Sequence, residues 1–228
     1  MCGISGFIDY QKRTSRDILE KMNRTIEHRG PDGEGYALFN ADAAAIGLGH
    51  RRLSIIDLSE GGRQPKTYKK LHITFNGEIY NYKEIKARLE SKGHRFSSHS
   101  DTEVILHAYE EWGSEALQQF IGMYAFAIYD EEKQKLFACR DRAGVKPFFY
   151  YWKDGLFLFG SELKVLMQHP GFEKKINTDA IAAFLQFAYV PTPHCIFHDT
   201  HKLNPGHFIT VDVKTRGIET KQYWNVYD

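Results

Sequence analysis

The chain has 228 residues, 42% of them hydrophobic, and sets 30 Lys+Arg against 29 Asp+Glu for a formal net charge of +1. That length is ample for a large buried core, and the balanced charge argues against a nucleic-acid footprint or a membrane-surface patch. Cys2, Cys139 and Cys195 are an odd number without framework spacing, which speaks against a disulfide-stapled secreted domain; with no apolar run of membrane-spanning length and no signal-type start, the expected location is the cytoplasm.

In chain order, "GISGFIDY" reads as a strand, and "SRDILEKMNRTIEHRG" as a helix with Ser15 at its N-cap and Ile18, Met22 and Ile26 four residues apart. The glycine–proline loop "RGPDGEG" precedes strands "YALFN" and "AAIGLGH", and "RLSIIDL" reads as a further short extended run. "LHITFNGEIYNY" alternates on both sides of Asn76-Gly77. Two helices follow, "NYKEIKARLESKG" and "SDTEVILHAYEEWG", with capping boxes expected at Asn81…Glu84 and Ser100…Glu103 and a C′ stop at Gly93. Next come four aromatic-rich strands, "MYAFAIYD", "KLFACRD", "PFFYYW" and "LFLFGS". The helices "SELKVLMQH" and "TDAIAAFLQFAY" then lead to a last hairpin, "HFITVDV–KTRG–IETKQYW". This pattern predicts an α+β fold of mostly antiparallel sheets with helices on their outer faces.

Cys2 is the first chemical candidate. Trimming of Met1 would leave its thiol beside a free α-amine with a pKa of roughly 7.7–8.0, a nucleophile with its own base. The plainer reading is a small buried hydrophobe in an edge strand. Asn76-Gly77 reads by itself as a hairpin turn; the functional alternative aims a carboxamide N–H and a glycine N–H at one oxygen. Arg52 is either a surface charge or a clamp on a substrate carboxylate. Asp101, in the first turn of a helix, is ambiguous, because an Asp there is stabilising against the macrodipole with no ligand at all. His194, Cys195, His198 and His201 in "PHCIFHDTH" lack a recognisable structural-zinc spacing, so no metal is expected, and no Walker-type phosphate loop is present.

Together, "MCGISGF", "HRGPDGEG", "GHRRLSIIDLSEGGRQP", "FNGEIYNYKEIKARLESKGHRF", "SDTEVILHAYEEWG", "GMYAFAIYD" and "RDRAGVKPFFYY…FGSELKVL" resemble, in order, the glutaminase domain of glutamine-dependent asparagine synthetases. These are class II amidotransferases with an N-terminal nucleophile. The resemblance implies an αββα four-layer sandwich and hydrolysis of L-glutamine to glutamate and ammonia. It implies Cys2 as nucleophile after loss of Met1, with the Asn76 side chain and the Gly77 N–H as the oxyanion-stabilising pair. Arg52 would hold the glutamine α-carboxylate, Leu53 and Ile55 would line the pocket, and Glu78 and Asp101 would surround the α-amino group.

The expectation is one domain over 1–228, whose last 20 or so residues lead toward a synthetase domain not contained in this sequence. No cofactor is expected in this domain, since ATP and Mg belong to the synthetase part. The expected partners are L-glutamine and a C-terminal or separate synthetase domain that receives the ammonia. Neither nucleic acid nor membrane is expected, and a homodimer is compatible with the reading. Alternatives are the same glutaminase serving another acceptor, such as a sugar carboxylate, and a non-catalytic docking module. Where many relatives read R-D-P, this chain has Arg142 in place of the proline.

Overall fold

The computed structural model describes residues 1–54 and 60–227. The chain runs β1 (Gly3–Asp9), α1 (Arg16–Arg24), β2 (Gly33–Asn40), β3 (Ala45–Arg52), β4 (Lys66–Tyr68), β5 (Leu71–Ile79), α2 (Tyr82–Ser91), α3 (Asp101–Trp112), α4 (Ala116–Gln119) and β6 (Gly122–Asp130). It continues through β7 (Lys135–Arg140), β8 (Phe149–Lys153), β9 (Leu156–Gly160), α5 (Leu163–Leu166), α6 (Thr178–Phe187), β10 (Thr200–Lys202), β11 (His207–Asp212) and β12 (Ile218–Gln222).

The strands form two sheets, ordered β10-β8-β9-β1-β3-β2 and β12-β11-β7-β6-β5-β4. Each ladder between named strands is antiparallel. Alternation along the strands explains the layering, because successive side chains point to opposite faces. Ile4 and Ile8 of β1, Ala125, Ala127 and Tyr129 of β6, and Phe157 and Phe159 of β9 face the space between the sheets. Their neighbours turn outward: Phe7 and Leu158 pack on α1 and α5 with Leu19, Met22 and Val165. Tyr124, Phe126 and Ile128 pack on α2 and α3 with Ile85, Leu89, Val104 and Ile105. Both faces of each sheet are therefore covered, and the fold is the αββα sandwich.

β1 lies between β3 and β9, so residues 5–9 are held from both sides, residues 3–4 pair with β3, and Cys2 projects from the end of a central strand. Gly6 makes this possible. A Cβ there would sit 2.2 Å from Phe159 Cζ and 2.6 Å from the Gly47 carbonyl oxygen. Gly6→Ala is therefore expected to cost about 1–3 kcal/mol through overpacking, and to lower Tm by about 2–4 °C per kcal/mol. Thermal melting by circular dichroism checks this, and an unchanged Tm would show that β1 has room to move.

Several local expectations change in the folded chain. Asn76-Gly77 is no hairpin. β5 runs straight through it, with Asn76 opposite Ala125 and Gly77 opposite Tyr124 in β6. The turn propensity loses because both flanks of the dipeptide pair in register with one partner strand. Gly77 is needed instead for close approach, since a Cβ would lie 2.2 Å from the Met123 carbonyl oxygen.

Asn81 stands at the N-cap of α2 without a side-chain capping bond. Its amide instead donates to the Gln119 carbonyl and accepts from Ile121 N–H, tying α2 to the start of β6. Ser100 does cap α3 by accepting from Thr102 N–H. Glu103, however, accepts from the backbone and hydroxyls of Ser97 and Ser98, so the reciprocal half of that box is absent. Ser15 precedes α1 without a side-chain capping bond. Gly93 follows α2 with φ +95°, as a C′ glycine should. The end of the "RLSIIDL" run lies outside the described residues.

Candidate active site

The nucleophile candidate and the proposed carboxylate clamp are neighbours for a topological reason. Gly3 pairs with Arg51 across the β1–β3 ladder, and Gly33 with Arg52 across β2–β3, so residues 2 and 52 emerge at the same end of the sheet. Leu53 N–H points at Cys2 Sγ at 3.4 Å, and Sγ lies 3.6 Å from the Leu53 carbonyl oxygen. Arg29 donates from Nε to the Cys2 carbonyl at 3.0 Å and pairs with Glu162, fixing the backbone of residue 2.

The second sheet meets this end through two buried polar links. Thr74 donates to the Gly49 carbonyl at 2.9 Å, and His50 Nε2 lies 3.1 Å from the Phe75 carbonyl. They place Asn76, Gly77 and Glu78 across from Cys2. Asp101, in the first turn of α3, accepts from Ile79 N–H at 3.0 Å and so stands beside the same end of β5. Met1, Cys2, Arg52, Leu53, Asn76, Gly77, Glu78 and Asp101 all line one open cleft of about 750 Å³, counted to its mouth. Seven of the eight residues singled out from the sequence thus converge, and Ile55 lies outside the described residues.

Electrostatics divide the cleft. Burial pushes the Cys2 thiol up; the Leu53 N–H, the nearby terminal ammonium and Arg52 pull it back, while Asp101 adds to the rise. Burial lifts the Asp101 carboxyl to about 6, with Glu78 adding to the rise and the Ile79 N–H opposing it. Asn76 is only 1% exposed, and its Nδ2 has no hydrogen-bond partner among the described residues. Leaving such a donor unsatisfied costs about 1–3 kcal/mol. A buried amide N–H held against that cost, in the wall opposite a thiol, is suited to meet a developing oxyanion.

Residues 1–224 match the model of the glutamine amidotransferase domain family. The chain belongs to that family. It is 39% identical over 246 residues to a provisionally named glutamine-hydrolysing asparagine synthetase 2 of Methanocaldococcus jannaschii, covering 100% of this chain and 47% of that protein. It is 38% identical over 238 residues to the glutamine-hydrolysing asparagine synthetase 3 of Bacillus subtilis, covering 99% of this chain and 37% of that protein. The glutamine phosphoribosylpyrophosphate amidotransferase of B. subtilis, solved with ADP and GMP, is similar in fold, with a TM-score of 0.68 and 17% identity over 98% of this chain and 49% of that one. The chain therefore spans about a third to a half of the length of these relatives.

The amidotransferase cleft also holds residues that the sequence reading passed over. Lys146, 4% exposed, lines the cleft with its Nζ 3.2 Å from Met1 Sδ. Burial and then Arg29 hold this ammonium below the usual lysine range, opposed by Asp141, Cys2 and Glu78. Its signal lay in "RDRAGVKPFF", where Arg142 drew attention; Arg142 donates to the Gln118 carbonyl at 3.2 Å and is not among the residues that line the cleft. Gln64 is the other. It accepts from Phe75 N–H at 2.6 Å and donates to Thr102 Oγ1 at 3.3 Å, bridging β5 and α3. Nothing in its local sequence marks that role.

Among the described residues, the metal-competent side chains that converge are His94, His107 and Glu110, not His194, Cys195, His198 and His201.

Proposed function

We propose that the chain hydrolyses L-glutamine to glutamate and ammonia with Cys2 as the nucleophile, after removal of Met1. The observation that supports this most is the unpartnered Asn76 Nδ2, held in the same cleft as the Cys2 thiol. Arg52 takes the α-carboxylate, Asp101 and Glu78 take the α-ammonium, and Leu53 flanks the carbon chain between them. This clamp sets the side-chain amide over Cys2.

The freed α-amine accepts the thiol proton, and sulfur attacks the amide carbon. Asn76 Nδ2–H and Gly77 N–H receive the negative oxygen. Collapse breaks the C–N bond, and the α-amine returns the proton to the departing ammonia. Water, deprotonated by the same amine, then attacks the γ-glutamyl thioester through a second oxyanion and releases glutamate and the thiol.

The ammonia passes in this reading to an ATP-dependent asparagine synthetase domain, toward which the last 20 or so residues of a single 1–228 domain lead. Two observations support a further polypeptide: the extra length of the curated relatives, and an apolar face on and after α6, where Phe184, Leu185, Phe187 and Tyr189 are 50–78% exposed. Patches of this kind mark interaction sites.

Intact mass spectrometry before and after treatment with 6-diazo-5-oxo-L-norleucine tests the glutaminase reading. The expected result is a chain lacking one methionine that takes a single adduct, with none on Cys2→Ala. A trimmed chain that takes no adduct would refute it. Arg52→Ala is expected to raise KM for glutamine by roughly 10–150-fold with little change in kcat, since a hydrogen bond to a charged group contributes about 1.5–3 kcal/mol. Steady-state kinetics check this, and an unchanged KM would remove Arg52 from the clamp.

A further inference from the structure

We propose that His94, His107 and Glu110 form a Zn²⁺ site on the outer helical layer, separate from the Cys2 cleft. His107 and Glu110 stand three residues apart on α3 and share a face. His94 approaches from the segment that follows α2. One ligand atom from each lies within 4.8 Å of the other two.

The distances fit a small cation closely. His94 Nδ1 and His107 Nδ1 are 2.9 Å apart. Two ligands of a tetrahedral zinc, each at about 2.0–2.1 Å, stand roughly 3.3 Å from one another, so a small rotation of the His94 ring opens the required space. Glu110 Oε2 is 3.9 Å from His94 Nδ1, while its other oxygen is paired with Lys69 at 2.5 Å. The carboxylate is thereby oriented from the side, and a fourth position is left for water.

The outer nitrogens face carboxylates. His94 Nε2 is 3.1 Å from Glu111 Oε2, and Lys92 anchors that carboxylate from its other oxygen at 2.7 Å. His107 is fully buried and its Nε2 has no hydrogen-bond partner among the described residues; the carboxylate oxygen Glu103 Oε1 is 3.8 Å away. With two neutral rings, the Nδ1–Nδ1 contact needs one proton and one lone pair. Whichever ring supplies the proton then turns its Nε2 lone pair toward a carboxylate. A zinc ion on both Nδ1 atoms removes this conflict. Each Nε2 then keeps its proton: that of His94 donates to Glu111, the carboxylate–histidine–metal arrangement that fixes tautomer and ring orientation, while that of His107 is directed to the side of Glu103, 3.8 Å away. A second proton on His94 is the competing resolution, and it would bind no metal.

Calorimetric titration and native mass spectrometry of the purified chain with zinc chloride decide between the two. One Zn²⁺ per chain is expected, with at least tenfold weaker binding in His94→Gln and in Glu110→Gln. Glu111→Gln, which changes only the outer partner of His94, should weaken binding by about 10–100-fold. Cys2→Ser and His198→Gln should bind like the unsubstituted chain, and glutamine hydrolysis should survive in the Glu110 variant as evidence of an intact fold. Failure to bind zinc would overturn the site. So would zinc retained at full affinity by both His94→Gln and Glu110→Gln, or zinc lost with Cys2→Ser.

Discussion

Cys2→Ala is expected to lower glutamine turnover by on the order of 10⁴–10⁶-fold, because the reaction loses the only atom that forms the acyl intermediate. The fold should be untouched. Cys2 projects beyond the first paired residue of β1, its thiol has polar contacts only with the Leu53 backbone among the described residues, and the side chain is half-buried. Glutamine should still bind, since the clamp at Arg52 and Asp101 holds the other end of the substrate. The check is ammonia release at saturating glutamine, paired with glutamine affinity by calorimetry. Turnover within tenfold of the unsubstituted chain would remove Cys2 from the chemistry, and loss of affinity would mean that the thiol has a binding role instead.

Asn76→Ala is expected to lower kcat by about 10²–10³, or about 3–4 kcal/mol, the usual loss of one oxyanion donor. KM should change little. The amide Nδ2 meets an oxygen whose charge develops only after attack, so the interaction belongs to the transition state and not to bound glutamine. The free protein should be no less stable, because this donor has no hydrogen-bond partner to lose. A buried group of this kind is destabilising in the resting fold, and equal or higher Tm with poor turnover is the expected pair of results. A fall in kcat matched by a fall in Tm would point to a structural role for Asn76.

Much of the fold can be read from local pattern. The period-two runs in residues 122–160 became β6 to β9 because each face of the strand meets an apolar layer. Short-range polar signals were less dependable. Asn81 and Glu103 carry capping-box spacing, yet their side chains bond backbone groups of Gln119, Ile121, Ser97 and Ser98 in the connecting segments instead. The three-residue strands β4 and β10 left no readable period. Lys146 and Gln64 were missed for a related reason: a side chain's reach into a cleft depends on which distant strands surround it.

Cys2, Arg52, Asn76, Gly77, Glu78 and Asp101 were legible because their motifs are long and ordered along the chain. The sequence by itself determined that set of residues, the α+β class and the family. Tertiary structure alone decided that they share one cleft. Asn76-Gly77 shows why: locally it is a turn, but pairing along the whole of β5 with β6 holds it extended. The cross-sheet bonds from Thr74 and His50 then set that strand against the end of β1, across from Cys2. The same holds for His94 and His107, thirteen residues apart in the chain, whose ring nitrogens meet only because α3 packs back against the end of α2. Local propensity acts over a few residues, whereas the encounter of two strands or helices depends on burial summed over the whole core.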